Sequence, residues 1–492
     1  MQFKNPIKSF FYRNKISKQF LFLALGFILP ATFQSIIEGS INLIDTFIIG
    51  NYNANDILAV SLGITVFFVF FTILIGVLSG FSIFSAQFFG AKKYKDLSEI
   101  YKLRIWIGLI ISLLFFIFCN LFSKFLINIS IGSKDFIPPQ IVKDTQNYLL
   151  FSTISYFFIA LSYSIHWTLR DTRRMKISFW ISIIVLIFKI FFCVILTYGI
   201  KINGVTIIPR LGILGLAAGG LIVRIIEFGC VFTVICVKKY EFWFSIKSFF
   251  FPHFSLLRKV SFKMWSVTFN EIIWAFAVFL QFSFYGYLGT TAVKEIQAAY
   301  TINDLFFSGL FGLGSGVGAL VGYELGRNKL KEAYNNSVKI NIISIGFSIV
   351  LGIGLLIISS FLPEIIFSKL PVGQIHNVRL MLIIIGLFFP FYAFAFVCYY
   401  TIRAGGDVIS VFFLDSMYTL FITTIVILLL THFFSALGIV IIFLIGVICD
   451  GLKAFTSYLF YRRKKWLKQL NEVQEEIEIS DDKLKILENN NE

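Results

Sequence analysis

The chain has 492 residues, of which 58% are apolar and only 14% charged, and its mean hydropathy is +0.84. A soluble protein covers its surface with roughly a quarter of charged residues, so this composition excludes an ordinary soluble domain and points to a polytopic membrane protein. The net charge of +16 sits in short segments between apolar stretches, where basic residues report topology rather than nucleic-acid binding.

In chain order, residues 1–18 form a basic segment with Lys4, Lys8, Arg13, Lys15 and Lys18 and no acid. The apolar stretch that follows, near 19–50, is too long for a signal-peptide core and ends in no small-residue cleavage site, so it is expected to remain as the first membrane helix. Further spans near 57–88, 103–123, 142–168, 175–199 and 211–237 complete a six-helix lobe over 19–238. A polar and aromatic connector, 239–261, carries Lys247, Pro252, His253, Arg258 and Lys259 without a span-length apolar run. A second six-helix lobe over 262–461 is read from spans near 262–288, 294–325, 336–361, 376–402, 408–430 and 435–460. The tail, 462–492, is first basic and then acidic from Glu472 onward, a composition that stays solvated. The expected fold is therefore an all-α polytopic membrane protein with twelve transmembrane helices in two pseudo-symmetric lobes of six.

Topology follows from charge. Segments that face the cytoplasm if the amino terminus is inside hold 30 lysines and arginines, and the opposite loops hold 8. Positive loops resist translocation, so both termini are predicted to be cytoplasmic. The two halves read as repeats: Gly76, Gly80, Gly90, Lys93, Lys95 and Asp96 recur 236 residues later as Gly312, Gly316, Gly326, Lys329, Lys331 and Glu332, and Arg170 matches Arg403. Two parallel six-helix repeats enclosing a central cavity are the plan of an alternating-access transporter.

Ionisable residues inside the membrane carry the functional expectation, because each is costly there unless it meets a cavity or a partner. Gln34, Glu38, Asn42 and Asp45 share one face of the first helix. Their carboxylates are suited to take up a proton or to coordinate a cation with nearby amides. Pro30, just before this stripe, removes a helix hydrogen bond and marks a hinge or a static kink. In the second half, Asn270, Glu271, Trp274 and Gln281 on the seventh helix, Asp304 on the eighth and Asp415 on the eleventh are the cavity candidates, with Glu271 placed roughly opposite Glu38. Arg224 and Glu227 read as an internal ion pair. Lys189 must snorkel, face a cavity, or pair with a carboxylate such as Asp45 or Glu38. The six scattered cysteines read as packing residues, no phosphate-binding loop occurs, and the four histidines are dispersed, so neither an enzyme nor a cofactor is expected.

The run Pro30-Ala-Thr-Phe-Gln34, then Asp45-Thr-Phe-Ile-Ile-Gly50, Leu58-Ala-Val-Ser61, Gly76, Gly80 and Ala86-Gln-Phe-Phe-Gly-Ala91 resembles the multidrug and toxic compound extrusion (MATE) transporters. So do Asn270-Glu271 with Trp274, Gln297-Ala-Ala299, Gly326 and Arg403-Ala-Gly-Gly-Asp407. The resemblance covers about residues 20–465. It implies an antiporter that exports amphipathic organic cations or drugs in exchange for H⁺ or Na⁺, with Asp45 matching the ion-coupling aspartate and the place for any Na⁺, and Glu271 the seventh-helix carboxylate. The chain departs from its similar members by carrying Lys189 and Cys193 where they have asparagine or aspartate, and Arg170-Asp-Thr-Arg-Arg174 lacks their glycine. A flippase for lipid-linked or anionic precursors, from the same wider superfamily, is the alternative. The expected partners are drug-like cations and the lipid bilayer, with no nucleic acid. A monomer is expected in the plasma membrane, and abundant Phe, Ile, Lys and Asn suggest an AT-rich genome and a bacterial inner membrane.

Overall fold

The computed structural model describes residues 16–52, 57–126, 139–202, 205–250, 254–367 and 370–470. The basic segment before Ile16 and the acidic tail after Leu470 lie outside the described residues, as does the side chain of Asn42. Twelve helices of 24 to 37 residues are each long and apolar enough to cross a membrane. They are α1 (Lys18–Tyr52), α2 (Ile57–Gly90), α3 (Tyr94–Leu121), α4 (Pro139–Asp171), α5 (Met175–Tyr198), α6 (Ile213–Lys238), α7 (Phe254–Tyr285), α8 (Thr290–Gly326), α9 (Leu330–Ser359), α10 (Val372–Ala404), α11 (Val408–Phe433) and α12 (Gly438–Arg462). Helix α11 is interrupted by two π-helical turns, Phe413–Met417 and Thr419–Thr423.

Three local features differ from the hydropathy reading. Helix α3 begins at Tyr94, which moves Arg104 from a loop into the helix. Helix α7 begins at Phe254, so the last third of the connector is helical. The loop between α5 and α6 folds as a hairpin of β1 (Ile200–Ile202) and β2 (Val205–Ile208), which suits its β-branched residues.

The two lobes exchange half a helix each. Ala24 and Ile28, in the first half of α1, pack in the core built by α7–α12, while Ile48 and Ile49, in its second half, pack on Val60, Tyr148 and Ile213 of the amino-terminal lobe. Reciprocally, Val260, Met264 and Val267 of α7 sit in the core of α2–α6. Pro30 lies where α1 passes from one lobe to the other, and the helix runs through it unbroken.

Small residues permit this crossing. A Cβ on Gly76 would stand 2.7 Å from the Cα of Thr268, and one on Gly80 would stand 2.6 Å from the Cα of Met264. In the other half, one on Gly312 would overlap the backbone of Ala31, and Gly90 and Gly326 lie directly against Tyr323 and Gln87. All these approaches fall in the half of the molecule where α2, α8 and α10 end; from Gly39, which faces Ser308, toward the opposite end no such approach occurs among the described glycines. The lobes are tied at one end and separated at the other.

A strap reinforces the tied end. After α12 the chain turns back, and Trp466 is fully buried, stacked on Tyr461 at 5.5 Å and seated on the backbone of Gly405. Gln469 Nε2 then donates to the Gly326 carbonyl at 3.0 Å, and the Leu470 amide donates to Gln87 Oε1 at 2.9 Å, which joins the strap to the amino-terminal lobe. Trp466→Ala should lower stability by about 3–5 kcal/mol, the usual loss for a buried tryptophan, read as a drop in Tm in detergent; an unchanged Tm would show that the strap contributes little.

Candidate transport site

On α1, Gln34 is fully buried and its amide donates to Glu38 Oε1 at 2.9 Å, while its own carbonyl accepts from Arg170 at 3.4 Å. Two turns on, Asp45 is held by Lys189 of α5: the ammonium donates to Oδ2 at 2.9 Å and lies 2.8 Å from Oδ1, with side-chain exposures of 13% and 7%. Of the three readings open to Lys189, the structure selects pairing, and it leaves Asp45 neutralised by an internal cation. Both residues line a cavity of about 660 Å³ within the amino-terminal lobe, together with Tyr148, Ser152, Tyr156 and Arg224. Arg224 lies 2.7 Å from Glu227, whose other oxygen is 3.4 Å from His166 Nε2, so a histidine that looks dispersed in sequence belongs to this buried cluster.

The carboxyl-terminal lobe distributes its acids differently. Glu271 is paired with Arg403 of α10 at 2.9 Å. Asn270 donates to Asp415 Oδ2 at 3.1 Å and accepts from the Ser416 hydroxyl at 2.7 Å. Lys453 of α12 sits 3.3 Å from Asp450 and 4.0 Å from Asp415, and it donates to Thr419 on the π-helical stretch. Widened turns of this kind often occur where a helix carries function; here they bring Asp415, Thr419 and Thr423 to α12, and Thr423 donates to Asp450 at 2.8 Å. Gln281 donates to Thr424 at 3.0 Å and ties α7 to α11.

Asp304 stands apart. It is exposed, and among the described residues it has neither a hydrogen bond nor an ion pair. Helical spacing places Tyr300, Phe307, Ser308 and Phe311 on its face of α8. Ser308 meets Gly39 of α1, so Asp304 is one turn beyond the last close inter-lobe approach, on the open side. The half-buried aromatic group behind it joins Trp274, stacked on Phe307, with Phe311, Tyr392 and Phe396 edge to face.

The expected equivalence of Glu271 with Glu38 does not hold. Ala31 under Gly312 corresponds to Thr268 under Gly76, an offset that sets Glu271 against Gln34 and leaves Ala275 and Phe282 against Glu38 and Asp45. The arginines agree: Arg170 reaches Gln34 and Ser315, and Arg403 reaches Glu271 and Ser79. The sequence reading passed over these two arginines as loop charges, along with Arg104, which is fully buried and bonds Asp171 at 2.8 Å and Thr168 at 2.7 Å. Their only signal was position: each stands at a helix end beside serines or an acid that face inward.

The MatE family model matches twice, over residues 30–195 and 267–434, one match in each lobe. No curated protein matches the sequence. Among solved structures, a transporter of the MOP superfamily from Pyrococcus furiosus Vc1 superposes with a TM-score of 0.78 at 17% identity, over 92% of this chain and 98% of the other. The Vibrio cholerae MATE transporter VcmN, solved as a point mutant, gives 0.77 at 16% over 91% and 98%, and a MATE protein in the straight conformation gives 0.78 at 15% over 92% and 98%. Matched in both halves by the family model and along nearly its whole length by the fold, the chain belongs to the MatE family of multi-pass membrane transporters, which are not enzymes.

Proposed function

We propose that the protein is a secondary antiporter that exports amphipathic organic cations in exchange for H⁺ or Na⁺ by alternating access, with both chain ends in the cytoplasm of a bacterial cell. The observation that carries this reading is Asp304, an exposed, unpartnered carboxylate at the edge of the inter-lobe cleft with a half-buried aromatic wall behind it. A free anion beside aromatic faces favours a greasy cation. Glu38, Glu271 and Asp415 are then the carboxylates for the coupling ion, since both oxygens of Asp45 face Lys189. Pro30 serves as the hinge, at the point where α1 changes lobes; similar MATE proteins have been solved in bent and straight conformations.

A second reading, movement of anionic or lipid-linked molecules, draws on Lys189 and Arg224 in the wall of the amino-terminal cavity. The Pyrococcus furiosus transporter is itself described as having a binding pocket of reversed polarity. Each of these two cations is already met by a carboxylate, Asp45 and Glu227, which favours the first reading.

Efflux of a fluorescent organic cation from vesicles, under a proton or a sodium gradient in turn, tests both. Asp304→Asn should raise the apparent KM about tenfold, equivalent to roughly 1.4 kcal/mol. Cation efflux under neither gradient, or efflux indifferent to Asp304→Asn, would overturn the proposal, and gradient-driven movement of an anionic amphipath instead would establish the second reading.

A further inference from the structure

The tied end is crossed by two arginines related by the internal repeat. Arg170, at the end of α4, donates to Ser315 Oγ of the opposite lobe at 2.7 Å and to Gln34 at 3.4 Å, and lies over the Trp167 ring at 5.0 Å. Arg403, at the end of α10, donates to Ser79 Oγ of the opposite lobe at 3.0 Å, pairs with Glu271 at 2.9 Å, and lies over the Tyr400 ring at 5.1 Å. Each is only 5% exposed. Ser79 and Ser315 are repeat equivalents at the same offset of 236 residues as Gly76 and Gly312. The two arrangements are thus one device built twice, with a single chemical difference: an amide, Gln34, stands where the other copy has a carboxylate, Glu271.

The geometry points to Arg170 and Arg403 as paired inter-lobe latches that hold the strap end shut, of which only the Arg403 latch is switched by the coupling cation. Gln34 cannot change charge, so the Arg170 latch has the same strength whatever is bound. Glu271 can be neutralised by a proton or compensated by a metal ion. Arg403 would then keep its charge in a buried site without its counter-charge, and a state that opens this end to water gains in proportion. The groups facing Glu271 are Arg403 and Tyr400 of α10, Asp415 of α11 and its neighbour Asn270, while α2 contributes the Ser79 hydroxyl. Of these only Arg403 is cationic, so it alone loses its counter-charge when Glu271 is neutralised. An inter-lobe cavity of about 320 Å³, lined by Ser79, Ser315, Trp167, Tyr400 and Arg403, gives the side chains room to part.

This inference rests on the alternating-access reading, and one experiment separates the two. In the full chain with its own six cysteines replaced, Lys95→Cys and Lys331→Cys place spin labels on exposed positions of the two lobes at the strap end. Double electron–electron resonance in liposomes then reads their separation through a pH series at fixed Na⁺ and a Na⁺ series at fixed pH. The native latch should give a short distance that lengthens along one of the series, which also identifies the cation. Glu271→Gln and Arg403→Gln should show the long distance throughout, while Arg170→Gln should shift the balance yet keep the native cation response. Ser79→Ala, a mild change that leaves the ion pair in place, should move the closed-to-open ratio about fivefold, the worth of one net hydrogen bond. A native protein that switches while Glu271→Gln or Ser79→Ala follows it unchanged overturns the latch alone. A native protein fixed at one distance in every condition overturns the latch and alternating access together.

Discussion

Lys189→Met should abolish transport and strongly reduce the folded yield, whereas Lys189→Met combined with Asp45→Asn should restore a stable protein. Methionine keeps most of the volume of the lysine stem but removes the charge. Asp45 would be left as a nearly buried carboxylate facing an apolar environment, because its described cationic partner is this one ammonium. Breaking a buried ion pair by removing one partner costs about 3–5 kcal/mol, while replacing both is often neutral. The measurement is Tm and the monodisperse fraction in detergent for both singles and the double. Equal stability of Lys189→Met and the native chain would mean that water already solvates the pair. If the double variant folds, its ion dependence shows directly whether Asp45 takes part in coupling, because the tethered ammonium no longer competes for it.

Gly90→Val is expected to cut transport by roughly ten- to a hundredfold while leaving the stability of each lobe nearly intact. The added side chain would collide with the Tyr323 backbone, and its repeat partner Gly326 stands in the same relation to Gln87. Overpacking of this kind costs about 1–3 kcal/mol, which converts to that range of population shift. The cost falls on the lobe–lobe seam and not on either core, so it biases the protein toward states in which the strap end is apart. Spin-label distances across this end should lengthen, and Tm should move little. Full transport with an unchanged distance would show that the seam yields without consequence.

Helix number, the pairing of the helices into two repeats and the family are all legible in the amino-acid order. Those properties depend on local hydropathy and on the need of every membrane-crossing segment to satisfy its own backbone hydrogen bonds, both readable in windows of about twenty residues. The polar stripe of α1 and the membrane carboxylates are legible for the same reason: charge in an apolar run is conspicuous. What each charge meets is settled in three dimensions. Lys189 finds Asp45 across 144 residues, Arg170 finds Ser315 across 145 and Arg403 finds Ser79 across 324. None of these pairings is encoded in spacing, because they arise when α1 and α7 cross into the opposite lobes and bring helix ends together. A shift of four residues in the repeat offset, invisible in hydropathy, moves Glu271 from the place of Glu38 to that of Gln34. One turn of an α-helix preserves the apolar pattern while changing every polar partner, which is why the fold was readable and the wiring of its charges was not.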